Sequence, residues 1–368
     1  MLRSAVRIAI LGATLIVAGV AHADIVIGVA GPMTGEFAPL GAQMRAGVEQ
    51  AVADTNAAGG IGGARLVLEV VDDACNAKRA DAGASALAAK GAVFVVGHLC
   101  LKASIAGAAV YAAEHIVQIS PGTTFAGFTD DRAGPGVFRL AGRDDAEGTF
   151  AGRMIARRYT AGNVAVVDDT TAYGKSLADA AATALDGAGK PIVLRDTYAP
   201  GGKEYNTLVS RLQAAAIDVV YLGGANPEAA IIAKAMKARG MTATIVAGDA
   251  LLSPDYADLA GDAAEGTLVA YPSDPRAAAA AAPVVAEFAA KNIDPAGYTL
   301  PAYAAVQVWV AAAKAAGGTD FDKLAAALTA GSFATVVGPV AFDEKGDLRD
   351  PRYDWYVWRG GDYAPAGF

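Results

Sequence analysis

The chain is poor in the side chains that most often carry catalysis or bind metals. Its 368 residues include two cysteines and three histidines, and one of these, His22, lies in an N-terminal segment interpreted below as a leader. The sequence contains no H-E-x-x-H pair and no G-x-S-x-G turn. We therefore expect no metal, no cofactor and no catalytic residues, and interpret the chain as something other than an enzyme.

Positive charge is also scarce. Lys and Arg total 30 against 38 Asp and Glu, which gives a formal net charge of −8. A surface with this balance repels phosphate groups. Nucleic acid and anionic membrane surfaces are therefore excluded as expected partners.

One extended apolar run stands at the N-terminus, and it is too short to span a membrane. Ile8 to Val20 follows Arg3 and Arg7 and precedes Ala21-His22-Ala23. This order predicts a secretory signal peptide over residues 1–23, cleaved after Ala23. Loss of the two arginines takes the formal charge from −8 to −10. No cysteine follows the cleavage site to carry a lipid, so we expect a soluble exported protein.

Export decides how the two cysteines are interpreted. An oxidising compartment favours pairing Cys75 with Cys100, and two buried free thiols are the alternative. A disulfide closing a loop of this size would contribute roughly 3 to 4 kcal/mol on the chain-entropy model.

Apolar strand patterns alternate with helix patterns along the chain. Because βα repeats build parallel sheets with right-handed connections, the fold class is α/β. The first series has strands Asp24–Ala30, Leu66–Val71, Val93–Val96 and Ile116–Ile119. The pattern restarts with a helix over about Thr149–Tyr159 and the strand VAVV. We expect two lobes: lobe 1 from residues 24–142 and 273–345, and lobe 2 from residues 143–272 and 346–368. The crossings between them are expected near Gly142, Pro272 and Asp343.

Two loops at the carboxyl ends of neighbouring strands predict a binding cleft. One carries Cys100 into a helix, and the other is Ser120-Pro121-Gly122-Thr123-Thr124. Open α/β sheets bind ligands at this edge, where small residues allow close approach and Thr124 offers a hydroxyl.

Several sequence signals for other sites do not survive inspection. GGIGGA follows a helix and precedes a strand, which is the reverse of the order around a dinucleotide-binding turn. Gly174-Lys175-Ser176 resembles the end of a phosphate loop, but the position five residues before Gly174 holds Asp169 where that loop needs a glycine. We interpret His98 as holding a loop by hydrogen bonds, and Asp72-Asp73 as a helix N-cap in preference to a metal site.

The chain resembles the leucine/isoleucine/valine-binding proteins, the type I periplasmic solute-binding components of branched-chain amino-acid ABC transporters. The resemblance covers nearly the whole chain after the leader. It is carried by NAAGGIGG, VVDDACNAKRA, VVGHLC, ISPGTT, FRLAGRDDAEG, TAYGKSLAD, AGDAAEGTLV, YAAVQ and VGPVAFDEKGDL. It implies two Rossmann-like lobes with parallel-rich central sheets joined by three hinge crossings, and a Cys75–Cys100 disulfide. It also implies a periplasmic monomer that delivers a ligand, clamped between the lobes, to permease subunits in the inner membrane.

The resemblance implies a ligand site shared by the lobes. The loop after Cys100, together with Gly122, Thr123 and Thr124, would hold the ligand's α-carboxylate and part of its ammonium group. Tyr173 and Asp249 would approach from lobe 2, with Asp249 against the ammonium. Two alternatives stay open: a role for Asp249 as a cap in the turn GDALLSPD, and a role for Tyr173 as a packing residue beside its loop.

Departures from the family pattern bear on specificity. Leu101 stands where these proteins usually place a serine, and Leu40, Ala225 and Leu300 replace aromatic walls. These changes predict a roomier, less polar pocket for a branched-chain or larger apolar amino acid. The alternatives are a receptor of the same fold for aromatic or other small carboxylates, and a ligand sensor for a membrane signalling partner.

Overall fold

The computed structural model describes residues 23–368, so the predicted signal peptide lies outside the described residues apart from Ala23. In this part of the chain no helix combines the length and the apolar character needed to cross a membrane.

A parallel five-stranded sheet forms the centre of the first lobe. Its strands run in the order β2-β1-β3-β4-β5. They are apolar and mostly buried because helices cover both faces of the sheet. The elements are β1 (Ile25–Gly31), α1 (Ala38–Ala57), β2 (Leu66–Asp72), α2 (Ala77–Ala89), β3 (Phe94–Gly97), α3 (Leu101–Ala113), β4 (Val117–Ser120), α4 (Gly127–Asp130) and β5 (Val137–Arg139).

The second lobe repeats the same βα design. Its elements are α5 (Asp144–Arg158), β6 (Val164–Asp168), α6 (Ala172–Gly187), β7 (Ile192–Thr197), α7 (Asn206–Ala214), β8 (Val219–Gly223), α8 (Glu228–Ala238), β9 (Thr244–Ala247), a 3-10 turn (Asp249–Leu251), α9 (Pro254–Ala260) and β10 (Leu268–Pro272).

The chain then returns to the first sheet. The returning elements are α10 (Ala282–Ala290), α11 (Thr299–Ala316), α12 (Phe321–Ala330), and the antiparallel pair β11 (Ser332–Thr335) and β12 (Gly338–Ala341). Trp309 of α11 stacks on Phe94 of β3, with ring centroids 4.9 Å apart. Helix α11 also crosses α1 so closely that a Cβ on Gly47 would lie 2.0 Å from the Thr299 carbonyl oxygen. The returning segment therefore completes the core of the first lobe.

The last strands rejoin the second sheet. They are β13 (Tyr353–Arg359) and β14 (Asp362–Pro365), and they complete the order β14-β13-β10-β9-β8-β6-β7. Strand β13 pairs antiparallel with β10, and the other pairings among β6 to β10 are parallel. The predicted α/β fold with parallel-rich sheets is confirmed.

The three crossings between the sheets lie side by side. A Cβ on Gly142 would lie 2.2 Å from the Tyr353 hydroxyl, and the Ser273 amide donates to the Arg352 carbonyl over 3.0 Å. The third crossing comes later than the expected Asp343. The Arg139 amide still donates to Gly346, since the turn after β12 packs on the end of β5, and the chain leaves the first lobe at residues 350–352.

Helix α5 begins at Asp144, five residues before the predicted start at about Thr149. The run Asp-Asp-Ala-Glu has the polar character of a loop, and the prediction treated it as one. Acidic side chains in a first turn interact favourably with the partial positive charge of a helix N-terminus. The correction matters because it places Asp144 and Glu147 on a rigid element.

The predicted disulfide between Cys75 and Cys100 is confirmed, with the two Cα atoms 5.3 Å apart. It ties the loop after β2 to the residue preceding α3. The interpretation of Asp72-Asp73 as an N-cap was wrong: Asn76 caps α2, accepting from the amides of the second and third helical residues. Asp72 and Asp73 lie before the turn that leads to the helix, so they do not cap it. The carboxylates of both accept from loop amides, and the Asp73 carboxylate also contacts His98.

Candidate functional site

A buried hydroxyl network shapes the loop after β4. The Ser120 hydroxyl donates to the His98 carbonyl oxygen over 2.7 Å and lies 2.9 Å from the Thr123 hydroxyl. Thr123 also contacts the Ser104 hydroxyl at 2.6 Å. Its polar atom is therefore engaged inside the lobe, whereas the next residue, Thr124, is only half-buried at the edge of the loop.

Arg139, at the end of β5, supports the same loop from beneath. Its Nη1 donates to the carbonyls of Thr123 (3.0 Å) and Phe125 (2.8 Å). Its Nε lies 2.6 Å from Asp347 Oδ1 in a close ion pair that is not aligned as a hydrogen bond. The guanidinium is fully buried, so a fixed fork of donors holds the loop that carries Thr124.

Tyr298 covers Gly122 and was missed by the sequence analysis. A Cβ on Gly122 would lie 2.7 Å from Tyr298 Cε1 and 2.3 Å from Leu99 Cδ1, so this position takes no larger residue without displacement. Burial raises the pKa of Tyr298, and the negative charge of Asp249, which belongs to the second lobe, raises it further. The sequence signal that could have identified Tyr298 was the presence of an aromatic residue two positions before Leu300, the predicted wall residue.

The apolar residues that were predicted to line the ligand pocket differ in exposure. Leu300 is fully buried in the core of the first lobe, two positions beyond Tyr298. Leu40, Leu101 and Ala225 are half-buried, and Leu101 is the first residue of α3. Their contact with a ligand stays a prediction.

On the second lobe, a short chain of hydrogen bonds orients Asp249. The Tyr173 hydroxyl donates to Asp249 Oδ1 over 2.6 Å and accepts from the Ala250 amide over 3.3 Å. The Asp249 amide donates to Glu147 Oε1 over 2.7 Å. Three separate elements, α5, α6 and the 3-10 turn after β9, therefore fix one carboxylate.

Within the described part of the chain, the acidic groups around Asp249 have no cation paired with them. Asp144, Glu147 and Asp249 form no ion pair with any Lys, Arg or His of residues 23–368. Burial raises the pKa of Asp249, although the Tyr173 hydrogen bond lowers it. Burial raises the pKa of Asp144 to about 6. Burial and then the charge of Asp249 raise the pKa of Glu147 well above its usual range. A cation placed here would be stabilised by all three carboxyls.

This cluster is not arranged as a metal centre. Within residues 23–368 no group of three or more His, Cys, Asp or Glu side chains has the geometry to hold a metal ion. The ligand group suited to these carboxylate acceptors is a cationic hydrogen-bond donor such as an ammonium, which binds carboxylates by charge-assisted hydrogen bonds.

Two α/β lobes joined by three crossings are the architecture of a receptor that binds a small ligand between its lobes, and Thr124 and Asp249 belong to different lobes. The profile of the family described as periplasmic binding protein matches residues 24–361. The chain belongs to this family, which comprises solute-binding proteins rather than enzymes.

Two relatives support the assignment of the chain to this family. A Leu/Ile/Val-binding protein homolog 1 of Brucella abortus (strain 2308) is 38% identical over 352 residues, 95% of each chain. An amino acid binding protein of Pseudomonas aeruginosa is 40% identical over 92% of this chain and 91% of its own.

Solved structures agree on the fold. A substrate-binding protein from Desulfitobacterium hafniense in complex with Leu has a TM-score of 0.77 at 27% identity, covering 93% of this chain and 99% of that one. A solute-binding protein from R. palustris in complex with benzoate has a TM-score of 0.68 over 94% of this chain and 96% of its own, and at 22% identity it shows the fold alone.

Proposed function

We propose that this chain is the substrate-binding component of an ABC transporter and that it binds a branched-chain or larger apolar amino acid between its lobes. The carrying observation is that the carboxyls of Asp144, Glu147 and Asp249 form no ion pair with a cationic side chain anywhere in residues 23–368. An α-ammonium beside Asp249 supplies the missing positive charge. A ligand that carries only a carboxylate would instead add negative charge to the cleft, which disfavours simple aromatic acids.

The opposite end of the cleft suits the ligand's carboxylate. Cys100 precedes α3 without a side-chain cap, so the first amides of this 13-residue helix are free to bind an anion. Amides at a helix N-terminus point outward, and the helix dipole favours negative charge there. Leu101 offers no hydroxyl, so backbone amides and the Thr124 side chain would carry this contact. A zwitterion satisfies both ends of the cleft.

The relatives favour an apolar ligand side chain. A Pseudomonas aeruginosa protein named as leucine-, isoleucine-, valine-, threonine- and alanine-binding is 36% identical over 96% of this chain and 96% of its own. Leu40, Ala225 and Tyr298 would surround the side chain, and the exchange of aromatic walls for smaller residues leaves room for a larger one.

The setting follows from the same proposal. The protein would be exported, cleaved after Ala23 and active as a periplasmic monomer, and its closed form would dock on permease subunits. Lobe 1 would comprise residues 24–142 and 273–345, extended by the turn up to residue 349, and lobe 2 the remainder after the leader.

A ligand screen tests this function directly. Thermal unfolding is measured with leucine, phenylalanine and the other apolar amino acids, and with 4-methylpentanoate and benzoate as carboxylates without an ammonium. At a ligand concentration about 100 times Kd the folded state gains about 2.7 kcal/mol, which raises Tm measurably. We expect amino acids to stabilise the protein and their ammonium-free analogues to have no effect. Stabilisation by benzoate alone would replace the proposal with an aromatic-acid receptor.

Ligand binding is also expected to close the cleft. Thr124 belongs to one lobe and Asp249 to the other, so a ligand gains both contacts only in the closed form, and it shifts the equilibrium by its preference for that form. A micromolar ligand has about 8 kcal/mol of net binding free energy, enough to overcome an opening preference of a few kcal/mol. Small-angle scattering should show a smaller radius of gyration with the ligand and no change with its ammonium-free analogue. An unchanged radius at proven saturation would contradict closure.

A further inference from the structure

We propose that Glu147 holds a proton in the ligand-free protein and releases it when an ammonium-bearing ligand binds beside Asp249, so that ligand binding is coupled to proton release. The inference rests on the proposed function for its ammonium. In this step the O–H bond of the Glu147 carboxyl breaks, its electron pair stays on the carboxylate and the proton passes to solvent. The ligand's ammonium then balances the negative charge left on Glu147.

Geometry places Glu147 directly behind the predicted ligand contacts. Its side chain is almost fully buried, at 4% exposure, on the first turn of α5. Its Oε1 accepts from the Asp249 amide over 2.7 Å, which leaves Oε2 to carry a proton. A Cβ on Gly248 would lie 2.8 Å from Glu147 Oε1 and 3.0 Å from the Tyr173 hydroxyl, so the two polar groups lie close together beside this glycine. Glu147 is thus a positioning residue, which contacts Asp249 and not the ligand itself.

Every element packed around this carboxyl contributes an acid or a phenol. The groups that interact with it or with its two acidic neighbours are Asp144 on α5, Tyr173 on α6, Tyr221 on β8, Asp249 after β9, Tyr271 on β10, Tyr298 before α11 and Tyr353 on β13. Arg139 acts on Asp144 at longer range, but its guanidinium is paired with Asp347. Arg143 is paired with Asp130, Asp145 and Asp347. The nearby arginines are therefore committed elsewhere.

Tyr221 adds a buried phenol to the surroundings of the cluster. Its side chain is fully buried, and its hydroxyl has no hydrogen-bond partner among residues 23–368. Burial raises the pKa of Tyr221, and the negative charge of Glu147 is the next largest cause. A phenol beside a protonated carboxyl can donate or accept a hydrogen bond.

The sign of the coupling follows from charge. A buried carboxylate beside other carboxylates is unfavourable, so the ligand-free cluster keeps a proton. An ammonium within the cluster stabilises the ionised form, so the complex binds fewer protons. Affinity must then rise with pH wherever the free protein is protonated and the complex is not, and become constant at higher pH.

Calorimetry of the full chain with leucine, or with the best amino acid of the screen, measures the coupling. Titrations in buffers of different ionisation enthalpy give the number of protons released per ligand bound. Above the pKa of Asp144, which burial raises to about 6, we expect release approaching one proton and an affinity that rises up to about tenfold per pH unit. In Glu147→Gln the Oε1 acceptor remains but no proton can leave, so release should fall toward zero and the pH dependence should flatten.

Asp145→Asn is the matched control, because it makes the same change in the same helical turn at a residue paired with Arg143. It should keep the wild-type proton count. If Glu147 were merely structural, Glu147→Gln would bind with an unchanged proton count, and that result would overturn the inference.

A ligand-free measurement separates this inference from the proposed function. An unfolded glutamate has a pKa of about 4.3. If folded Glu147 keeps its proton above that pH, the unfolding equilibrium constant of the wild type should rise, relative to Glu147→Gln, about tenfold per pH unit until the folded pKa is passed. Parallel curves for the two proteins would overturn the proton on Glu147. Failure of every amino acid to bind would overturn the proposed function and the coupling, and these curves would still show whether Glu147 holds a proton.

Discussion

Replacing Arg139 by methionine is expected to lower the free energy of unfolding by about 3 to 5 kcal/mol, the usual effect of removing one partner of a buried ion pair. Methionine fills a similar volume but leaves the Asp347 carboxylate, which is buried, with Arg143 as its one remaining cation at 2.8 Å. The carbonyls of Thr123 and Phe125 also lose their donor. Buried acceptors without partners contribute to the loss.

Urea denaturation of the ligand-free protein measures this effect. Arg276→Met is the matched control: Arg276 also pairs with two carboxylates, Asp274 and Asp294, but its side chain is 41% exposed, so the loss should stay within about 1 kcal/mol. Adding Asp347→Leu to Arg139→Met should restore part of the stability, because the buried carboxylate that has lost one of its two cations is then removed as well. Equal losses for Arg139→Met and Arg276→Met would contradict the structural role given to Arg139.

The order of strands and helices was largely predictable from the sequence because each element has a characteristic local pattern of apolar residues. Strands such as Val164–Asp168 are buried on both sides and appear as continuous apolar runs. The helices between them have apolar residues at helical spacing. The pairing of Cys75 with Cys100 was favoured over two free thiols because the sequence predicts export and contains only two cysteines.

Element ends were less predictable because competing local signals meet there. The first turn of α5 has the composition of a loop, although Asp144 and Glu147 are also favourable at a helix N-terminus. The start of α11 shows the same difficulty. The aromatic side chain beside Gly122 is Tyr298, just before the helix, whereas Leu300 turns into the core, since residues two apart on a helix point in nearly opposite directions.

The acidic environment of the site had no local signal. Glu147 and Asp249 lie 102 positions apart, and their contact depends on how α5 packs beside the end of β9. Tyr173 is 76 positions from Asp249. Sequence patterns place each residue on its element, but the charge balance among them depends on the complete fold.

Replacing Asp249 by asparagine is expected to weaken amino-acid binding by about 1.5 to 3 kcal/mol, roughly 10- to 150-fold in Kd. Asparagine retains an oxygen that can accept from the Tyr173 hydroxyl, so the local geometry is preserved and the loss reports the missing charge. Asp258→Asn, an exposed change on α9, is the control and should leave Kd unchanged.

The ligand itself provides the second half of this test. Wild-type protein should discriminate strongly between leucine and 4-methylpentanoate, which differ by the ammonium group. Asp249→Asn should lose most of that discrimination, because a neutral acceptor forms a weaker hydrogen bond with an ammonium than a carboxylate does. Calorimetry with both ligands on both proteins gives the coupling between the carboxylate and the ammonium as a double-mutant cycle. A coupling near zero would show that Asp249 stabilises the turn after β9 without contacting the ligand, and the ammonium site would then have to lie elsewhere in the cleft.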